Sequence, residues 1–340
     1  LATDQEVLGS NPSRRTIMMI KNYKLHFLII IFFSITLRIL SVEYFGDRQV
    51  DNEWRIILFN LENNSILGFR EVQGQIFPNI FMPPLYPYFL YLIKIVNPFD
   101  DFFVKIILYI QIIISVLAII YFKKILLIFF SKTVSNFGTL IFSLFPLFIY
   151  GNSQISSISL QVFFIVIFFY YLLRIIIKKK SKYLFYFSLC SAFLMLLRGE
   201  FFIIYILTLI FIYLMNKNFK DIIILFFVSL ILISPYLARN YLIFEKITIT
   251  KSLGFNLWKG NNLYSLPEGN EKIYDEHMQK NINEITLDKK YDYSVDEVYK
   301  IEAIKNIKSD PYRYLILYFK KLVAFIFIDF ESTYPSYYNL

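Results

Sequence analysis

The fold class this sequence predicts is an all-α, multi-pass membrane protein, and three observations predict it. The 340-residue chain is 57% hydrophobic, and its mean hydropathy of +0.53 is far above what a solvated domain surface tolerates. Apolar runs recur along it. Basic residues gather at the ends of those runs, in stretches such as Lys178-Lys179-Lys180-Ser181-Lys182 and Asn216-Lys217-Asn218-Phe219-Lys220. A net charge of +9 placed in this way orients helices across a bilayer and is not a nucleic-acid signal. The 38 Phe and 27 Tyr accompany a wealth of Ile, Asn and Lys, the composition of an AT-rich genome, and tyrosine belts at the membrane interface account for them without a binding role. The one cysteine, Cys190, lies inside an apolar run and excludes a disulfide framework or thiolate metal site. With His26 and His277 as the two histidines, a histidine-ligated metal centre is not expected.

In chain order, residues 1–17 are polar and unlike the rest; they read as a spurious or disordered extension, with translation expected to begin at Met18 or Met19. Lys21 and Lys24 precede a first span at 25–40, positive flank inside, which serves as an uncleaved signal anchor because no small-residue cleavage site follows. This span opens a transmembrane core expected over 18–237, including a first external loop at 41–101. Within the loop, Trp54, Ile57, Leu58 and Leu61 recur at i, i+3, i+4 and i+7, the pattern of a surface helix that starts at Asp51. Segment 86–96 is apolar but too short for a core that needs roughly 20 helical residues. Counting it as a span would also force 178–182 outside, so it reads as a second surface helix.

Six further spans are expected at 102–122, 137–150, 158–177, 183–197, 201–215 and 222–237, about seven in all. That parity keeps Lys123-Lys124, 178–182 and 217–220 on the inner side. Residues 238–311 form an extracytoplasmic loop region with helical pattern near 295–307 and turn residues around Trp258, which predicts a structured loop rather than a linker. Pro311 opens the last segment, 312–340; Lys320-Lys321 at the centre of 312–330 argue for a third surface helix, partly embedded. The chain carries no solenoid-length repeat, glycine-rich phosphate loop, zinc spacing or serine nucleophile elbow, which excludes ATP-driven transporters and soluble hydrolases built on them.

Chemistry is concentrated outside the first span. The stretch Gly46-Asp47-Arg48-Gln49-Val50-Asp51-Asn52-Glu53-Trp54 clusters carboxylates there, and Met82-Pro83-Pro84-Leu85-Tyr86-Pro87-Tyr88 follows as a proline-stiffened aromatic segment. Later, Ser234-Pro235-Tyr236-Leu237-Ala238-Arg239-Asn240-Tyr241 leads to Gly254-Phe255-Asn256-Leu257-Trp258-Lys259-Gly260-Asn261-Asn262. In this order and on these topological sides, the three segments resemble the GT-C glycosyltransferases, within them the protein-mannosyltransferase and lipid A aminoarabinose transferase type, over roughly residues 21–339. The family's first external loop also holds two surface helices. Its members often have adjacent Asp-Glu where Asn52 here separates Asp51 from Glu53, and they usually continue with further spans, so this chain is expected to be a C-terminally truncated member.

The resemblance implies transfer of a sugar from a polyprenyl-phosphate donor to a hydroxyl of a glycan, lipid or protein acceptor, on the outer face of a bacterial cytoplasmic membrane. Asp51 takes the base role, Glu53 assists or orients the acceptor, and Asp47 is a third candidate. The plainer account is that Asp51 caps the following helix and Glu53 favours the positive end of its dipole. Arg38, Arg198 and Arg239 lie near the outer boundary and would hold the lipid phosphate, as would Lys320 and Lys321. Snorkelling accounts equally for Arg38 and Arg239, an ion pair with Glu200 for Arg198, and bilayer headgroups for the lysines. Tyr86, Trp258, Asn261 and Asn262, with Asp47, are candidates to contact sugar or acceptor, against turn chemistry for the asparagine pair that follows Gly260. No nucleotide or other cofactor is implied; the carboxylates would permit a divalent metal that the family does not generally demand. The rival class is a lipid-linked-glycan flippase or secondary transporter, which predicts ionisable or broken positions at mid-membrane in matching halves. Lys105 and Arg174 lie near span ends, Pro146 breaks one span and no halves match. A degenerate, non-catalytic membrane protein is the third reading.

Overall fold

Backbone crossing hydrocarbon must satisfy its own hydrogen bonds, and a helix does so within one segment. The apolar runs accordingly fold as helices. The structure is a computed structural model that describes residues 12–97, 100–178, 180–267 and 276–326, and among the described residues it contains fourteen helices and one two-stranded hairpin. The chain divides into two units, one drawn from the residues up to Leu58 and from Pro84–Ser234, the other from Phe59–Pro83 and from Pro235 onward.

The first unit is a helix bundle. It contains α1 (Pro12–Phe45), the first half of α2 (Asn52–Asn64), α3 (Leu85–Val96), α4 (Asp100–Phe129), α5 (Lys132–Ser143), α6 (Pro146–Gly151), α7 (Ile158–Lys178), α8 (Ser181–Leu197), α9 (Phe201–Asn216) and most of α10 (Phe219–Phe244). Helix α4 packs between α1, α5 and α7, and α7 packs in turn on α8. Among the described residues, four stretches are long and apolar enough to cross a membrane: Tyr23–Phe45, Phe102–Phe129, Ile158–Lys178 and Phe219–Phe244.

The seven spans expected from the sequence are thus not reproduced at full length. The expected 137–150 span is divided into α5 and α6, because Pro146 has no N–H to donate and forces Phe145 before it into extended backbone (φ −62, ψ 117). Helices α8 and α9 sit where spans were expected, but at 17 and 16 residues they reach only about 24–26 Å of a core roughly 30 Å thick. Segment 86–96 folds as the 12-residue α3. Helix α1 starts at Pro12, within the 1–17 stretch expected to be disordered or spurious; residues 1–11 lie outside the described residues.

Polar side chains tie the bundle helices. Tyr205 Oη donates to the Leu225 carbonyl (2.8 Å), and the hydroxyls of Ser188 and Ser229 close the same cluster between α8, α9 and α10; inside hydrocarbon such bonds fix helix pairs. In α10, Pro235 cannot donate to the Ile231 carbonyl four residues back, and Ser234 Oγ donates to that oxygen instead (2.8 Å).

The second unit contains the hairpin of β1 (Arg70–Val72) and β2 (Gln75–Phe77), then α11 (Leu253–Gly260), α12 (Glu276–Asn283), α13 (Tyr291–Ser309) and α14 (Pro311–Ile326). Gln73 and Gly74 both have positive φ (54 and 77), the turn geometry that pairs Arg70 with Phe77 in antiparallel register. Phe77, Trp258, Met278, Ile282, Tyr291, Val295 and Ala303 make the core of this unit. Asp296 on α13 accepts from the amides of Gly254 (3.0 Å) and Phe255 (2.9 Å), which satisfies the start of α11. A Cβ at Gly254 would meet the Asp296 carbonyl oxygen at 1.9 Å, so this approach requires glycine. The α14 helix covers the expected 312–330 segment up to Ile326; the remainder lies outside the described residues.

Candidate functional site

The carboxylate stretch lies in the first unit, on an apolar cluster formed by Val42, Tyr86, Leu90, Ile107, Leu108, Ile155, Leu160 and Leu197. Val50 and Trp54, which bracket Asp51 and Glu53 in sequence, both pack on that cluster. Asp51 is exposed immediately before α2, and Glu53 is half-buried in its first turn. Packing of Val50 and Trp54 on both sides fixes the backbone that carries the two acids.

Asp47 is committed differently. Its Oδ2 accepts from the Ile155 amide (2.6 Å) and its own amide donates to the Ser153 carbonyl (2.9 Å), so it fastens the 152–155 segment. Tyr86, buried on α3, donates its hydroxyl to Gln111 Oε1 (3.0 Å), and Gln111 Nε2 donates to the carbonyl of Gln154 (2.8 Å). Burial, followed by the negative charge of Asp47, holds the Tyr86 phenol well above its ordinary range, so it stays a hydrogen-bond donor. The Trp54 ring meets Tyr86 edge-on at 5.0 Å. Asp47, Trp54, Tyr86 and Gln111 thus form one braced constellation with the 152–155 segment, beside which Asn152 Oδ1 and Ser156 Oγ are buried without hydrogen-bond partners among the described residues.

Sequence reasoning missed the 151–157 segment and Gln111. The signal for the first is a run of Gly, Asn, Ser and Gln between two apolar stretches, and for the second a lone amide in the 102–122 span, where polar groups are costly.

The cations are not equivalent. Arg198 follows Leu197, a member of the apolar cluster under Trp54 and Tyr86. Its Nε donates to Gln161 Oε1 (3.2 Å), it forms no ion pair with Glu200 among the described residues, and its two Nη groups carry no hydrogen bond there. Arg38 is buried at 0% exposure within α1. It donates from Nε to Ser115 Oγ (2.9 Å) and from Nη1 to Ser34 Oγ (2.5 Å) and the carbonyls of Ser34 and Ser143, and Nη2 has no hydrogen-bond partner among the described residues. A side chain so enclosed does not snorkel.

The remaining candidates lie in the second unit. Arg239 donates to the carbonyls of Asn79 (2.8 Å) and Leu67 (3.4 Å) and to Asn240 Oδ1 (2.8 Å), fastening 67–79 to α10. Trp258 is 2% exposed and belongs to the core. Asn261 Nδ2 donates to the Leu257 carbonyl (2.8 Å), and Asn262 Oδ1 accepts from the Tyr264 amide (3.0 Å), which is turn chemistry at the end of α11. Lys321 Nζ donates to the Gly260 carbonyl, and Lys320 is exposed beside it on α14. Among the described residues, no group of three or more His, Cys, Asp or Glu side chains is placed to hold a metal ion.

No protein-family model matches the chain, and no curated protein matches it at a significant level.

Proposed function

We propose that the chain is an inverting glycosyltransferase that moves a sugar from a polyprenyl-phosphate donor to a hydroxyl acceptor at the outer membrane face. What supports this reading is the acid pair Asp51, exposed, and Glu53, half-buried, flanked by Val50 and Trp54, which pack on the cluster that also carries Leu197, the neighbour of Arg198. Asp51 removes the proton of the acceptor hydroxyl as its oxygen attacks the anomeric carbon, and Glu53 orients that hydroxyl. The bond from the anomeric carbon to the phosphate oxygen breaks with its electron pair, and the anomeric centre inverts. Arg198, with both Nη groups open, stabilises the charge that grows on the departing polyprenyl phosphate. Asp47, occupied by the Ile155 amide, acts as a brace for Tyr86 and the 152–155 segment rather than as the base.

The test is transfer of radiolabelled sugar from polyprenyl-phosphate donors in membranes that carry the chain at matched levels. Asp51→Asn is expected to lower transfer by on the order of 10²-fold or more, and Glu53→Gln by less. Transfer by Asp51→Asn equal to wild type would remove Asp51 from the base role.

A second reading, a flippase or secondary transporter for lipid-linked glycans, is favoured by one observation. Arg38 is a charge buried inside a membrane-length helix bundle, a position that proteins reserve for transported or gating groups. Movement of labelled lipid-linked glycan across vesicles, lost in Arg38→Met, with no sugar transfer by any variant, would select it.

A further inference from the structure

An open pocket of about 270 Å³ lies between the C-terminal ends of α4 and α7, lined by Lys124, Leu127, Ile128, Arg174 and Ile177. Two of its five lining side chains, Lys124 and Arg174, are cations. No Asp or Glu occurs between Asp101 and Glu200, so beyond the first turn of α4 neither α4 nor α7 carries a carboxylate, and Asp221 in the first turn of α10 is the acid on the bundle helices that follow. Arg174 Nε is buried without a partner, and neither cation forms an ion pair among the described residues. What they do touch is aromatic. Lys124 Nζ lies 4.1 Å from the Tyr121 ring centre and Arg174 Cζ 5.0 Å from that of Tyr170. Ring faces fix the direction of both groups yet accept none of their N–H donors in the plane of the guanidinium. The adjacent Lys123, by contrast, is buried against Tyr23 and Phe27 and is directed away.

The level of the pocket is marked by the same tyrosines. Tyr121 meets Tyr170 edge-on, Tyr170 meets Tyr171 edge-on and Tyr171 stacks on Tyr186, one cluster on the part of the helices that leads into 178–182, the kind of aromatic grouping that marks a membrane interface. The remaining wall is Leu127, Ile128 and Ile177, of which Leu127 and Ile177 are exposed. A free inorganic anion has no use for that apolar wall; an amphiphile has a use for both halves.

We infer that this pocket holds the phosphodiester headgroup of an anionic bilayer phospholipid, with Lys124 and Arg174 on the phosphate and an acyl chain along Leu127 and Ile177. Basic pockets between membrane helices at the lysine-rich side take such headgroups, and a volume near 270 Å³ admits a headgroup while the acyl chains stay outside. The site is independent of the proposed sugar chemistry and is tested without it.

The full chain is purified in a non-ionic detergent and equilibrated with phosphatidylglycerol, with phosphatidylcholine of the same acyl chains, or with inorganic phosphate, and bound lipid is counted by native mass spectrometry. Wild type is expected to retain phosphatidylglycerol roughly tenfold more than phosphatidylcholine, and Lys124→Gln/Arg174→Gln to lose that preference. Lys217→Gln/Lys220→Gln, which removes the same charge elsewhere, is expected to keep it. Lys124→Arg/Arg174→Lys, which retains both charges, is expected to keep most of it and so separates loss of charge from loss of fold. Equal preference in wild type and the Gln pair would overturn the inference, as would failure of the charge-retaining pair. Displacement of phosphatidylglycerol by inorganic phosphate at equal concentration would overturn the lipid assignment in favour of a free-anion site.

Discussion

Arg38 in the first unit and Asp292 in the second are both buried charges on helices, at 0% and 2% exposure, yet their surroundings differ in kind. Asp292 meets an opposite charge: Arg70 Nε lies 2.6 Å from its Oδ1, and the Ile80 amide donates to its Oδ2 at 3.1 Å. It thereby clasps both ends of the 70–80 segment to α13. Among the described residues Arg38 donates to hydroxyls and carbonyls alone, and its Nη2 has no hydrogen-bond partner. The difference follows from sequence, since the apolar runs of the bundle contain almost no acids while 238–311 mixes both signs. It teaches that the charge in the second unit is an internal fastening, whereas the charge in the first is tolerated at a cost that local packing alone does not explain.

The largest expected effect breaks the fastening. Asp292→Ala leaves Arg70 and the Ile80 amide without their partner and is expected to lower stability by about 3–5 kcal/mol, read as the unfolding midpoint in detergent. Replacing both partners, Asp292→Leu with Arg70→Met, should recover most of that loss, because no unpaired charge is left behind. Failure of the double variant to recover would mean that the hairpin depends on the pair itself.

A smaller effect of opposite sense is expected at Arg38. Arg38→Met removes an uncompensated charge and should leave stability unchanged or raise it by up to about 2 kcal/mol, measured by the same midpoint. A loss as large as that of Asp292→Ala would erase the contrast between the two sites.

The contrast also has a shape in pH. Burial outweighs Arg70 and the backbone donors and raises the Asp292 carboxyl above its ordinary 3.8, whereas the hydrogen bond from Lys251 lowers Glu297 below 4.5. A raised carboxyl binds its proton more tightly in the folded state, so Asp292 favours folding as pH falls through its raised value. Glu297 acts oppositely: its contribution is present above its unfolded value and is lost as pH falls below about 4.5 through its folded value. Because Glu297 is a third exposed, its loss amounts to a few tenths of a kcal/mol after screening. Thermal midpoints between neutral pH and acid should hold or rise slightly before they fall, and Glu297→Gln should remove only the final fall.

Much of the helical layout was legible because hydrocarbon enforces it. The 54/57/58/61 stripe is the buried face of α2, with Ile57, Leu58 and Leu61 enclosed, and Pro311 does open α14. The division of 137–150 is signalled by Pro146, which the sequence already marks as breaking a span, and not by hydropathy, because the break depends on the backbone before the proline and not on polarity. The hairpin at 70–77 was overlooked although Gln73-Gly74 between two short runs is a turn signal. At the candidate site, residue type alone could not tell depth. Trp258 has the composition of a sugar platform and the location of a core residue, while Arg38 reads as a snorkelling end and lies enclosed by Ser34, Ser115 and Ser143, two of which are distant in sequence. Asp47 and Asp51 are four residues apart, and only the partner at Ile155 distinguishes brace from free acid.

The hydroxyl of Ser234 has a meaning beyond the local repair of α10. A proline in a lipid-facing helix opens a leak in its electrical insulation: one carbonyl dipole, at Ile231, points out with no amide to screen it, and water is drawn toward it. By donating to that oxygen, Ser234 seals the leak from within the same turn. A serine that looks like a polar blemish in an apolar run is therefore what allows the helix to carry Pro235 and remain dry.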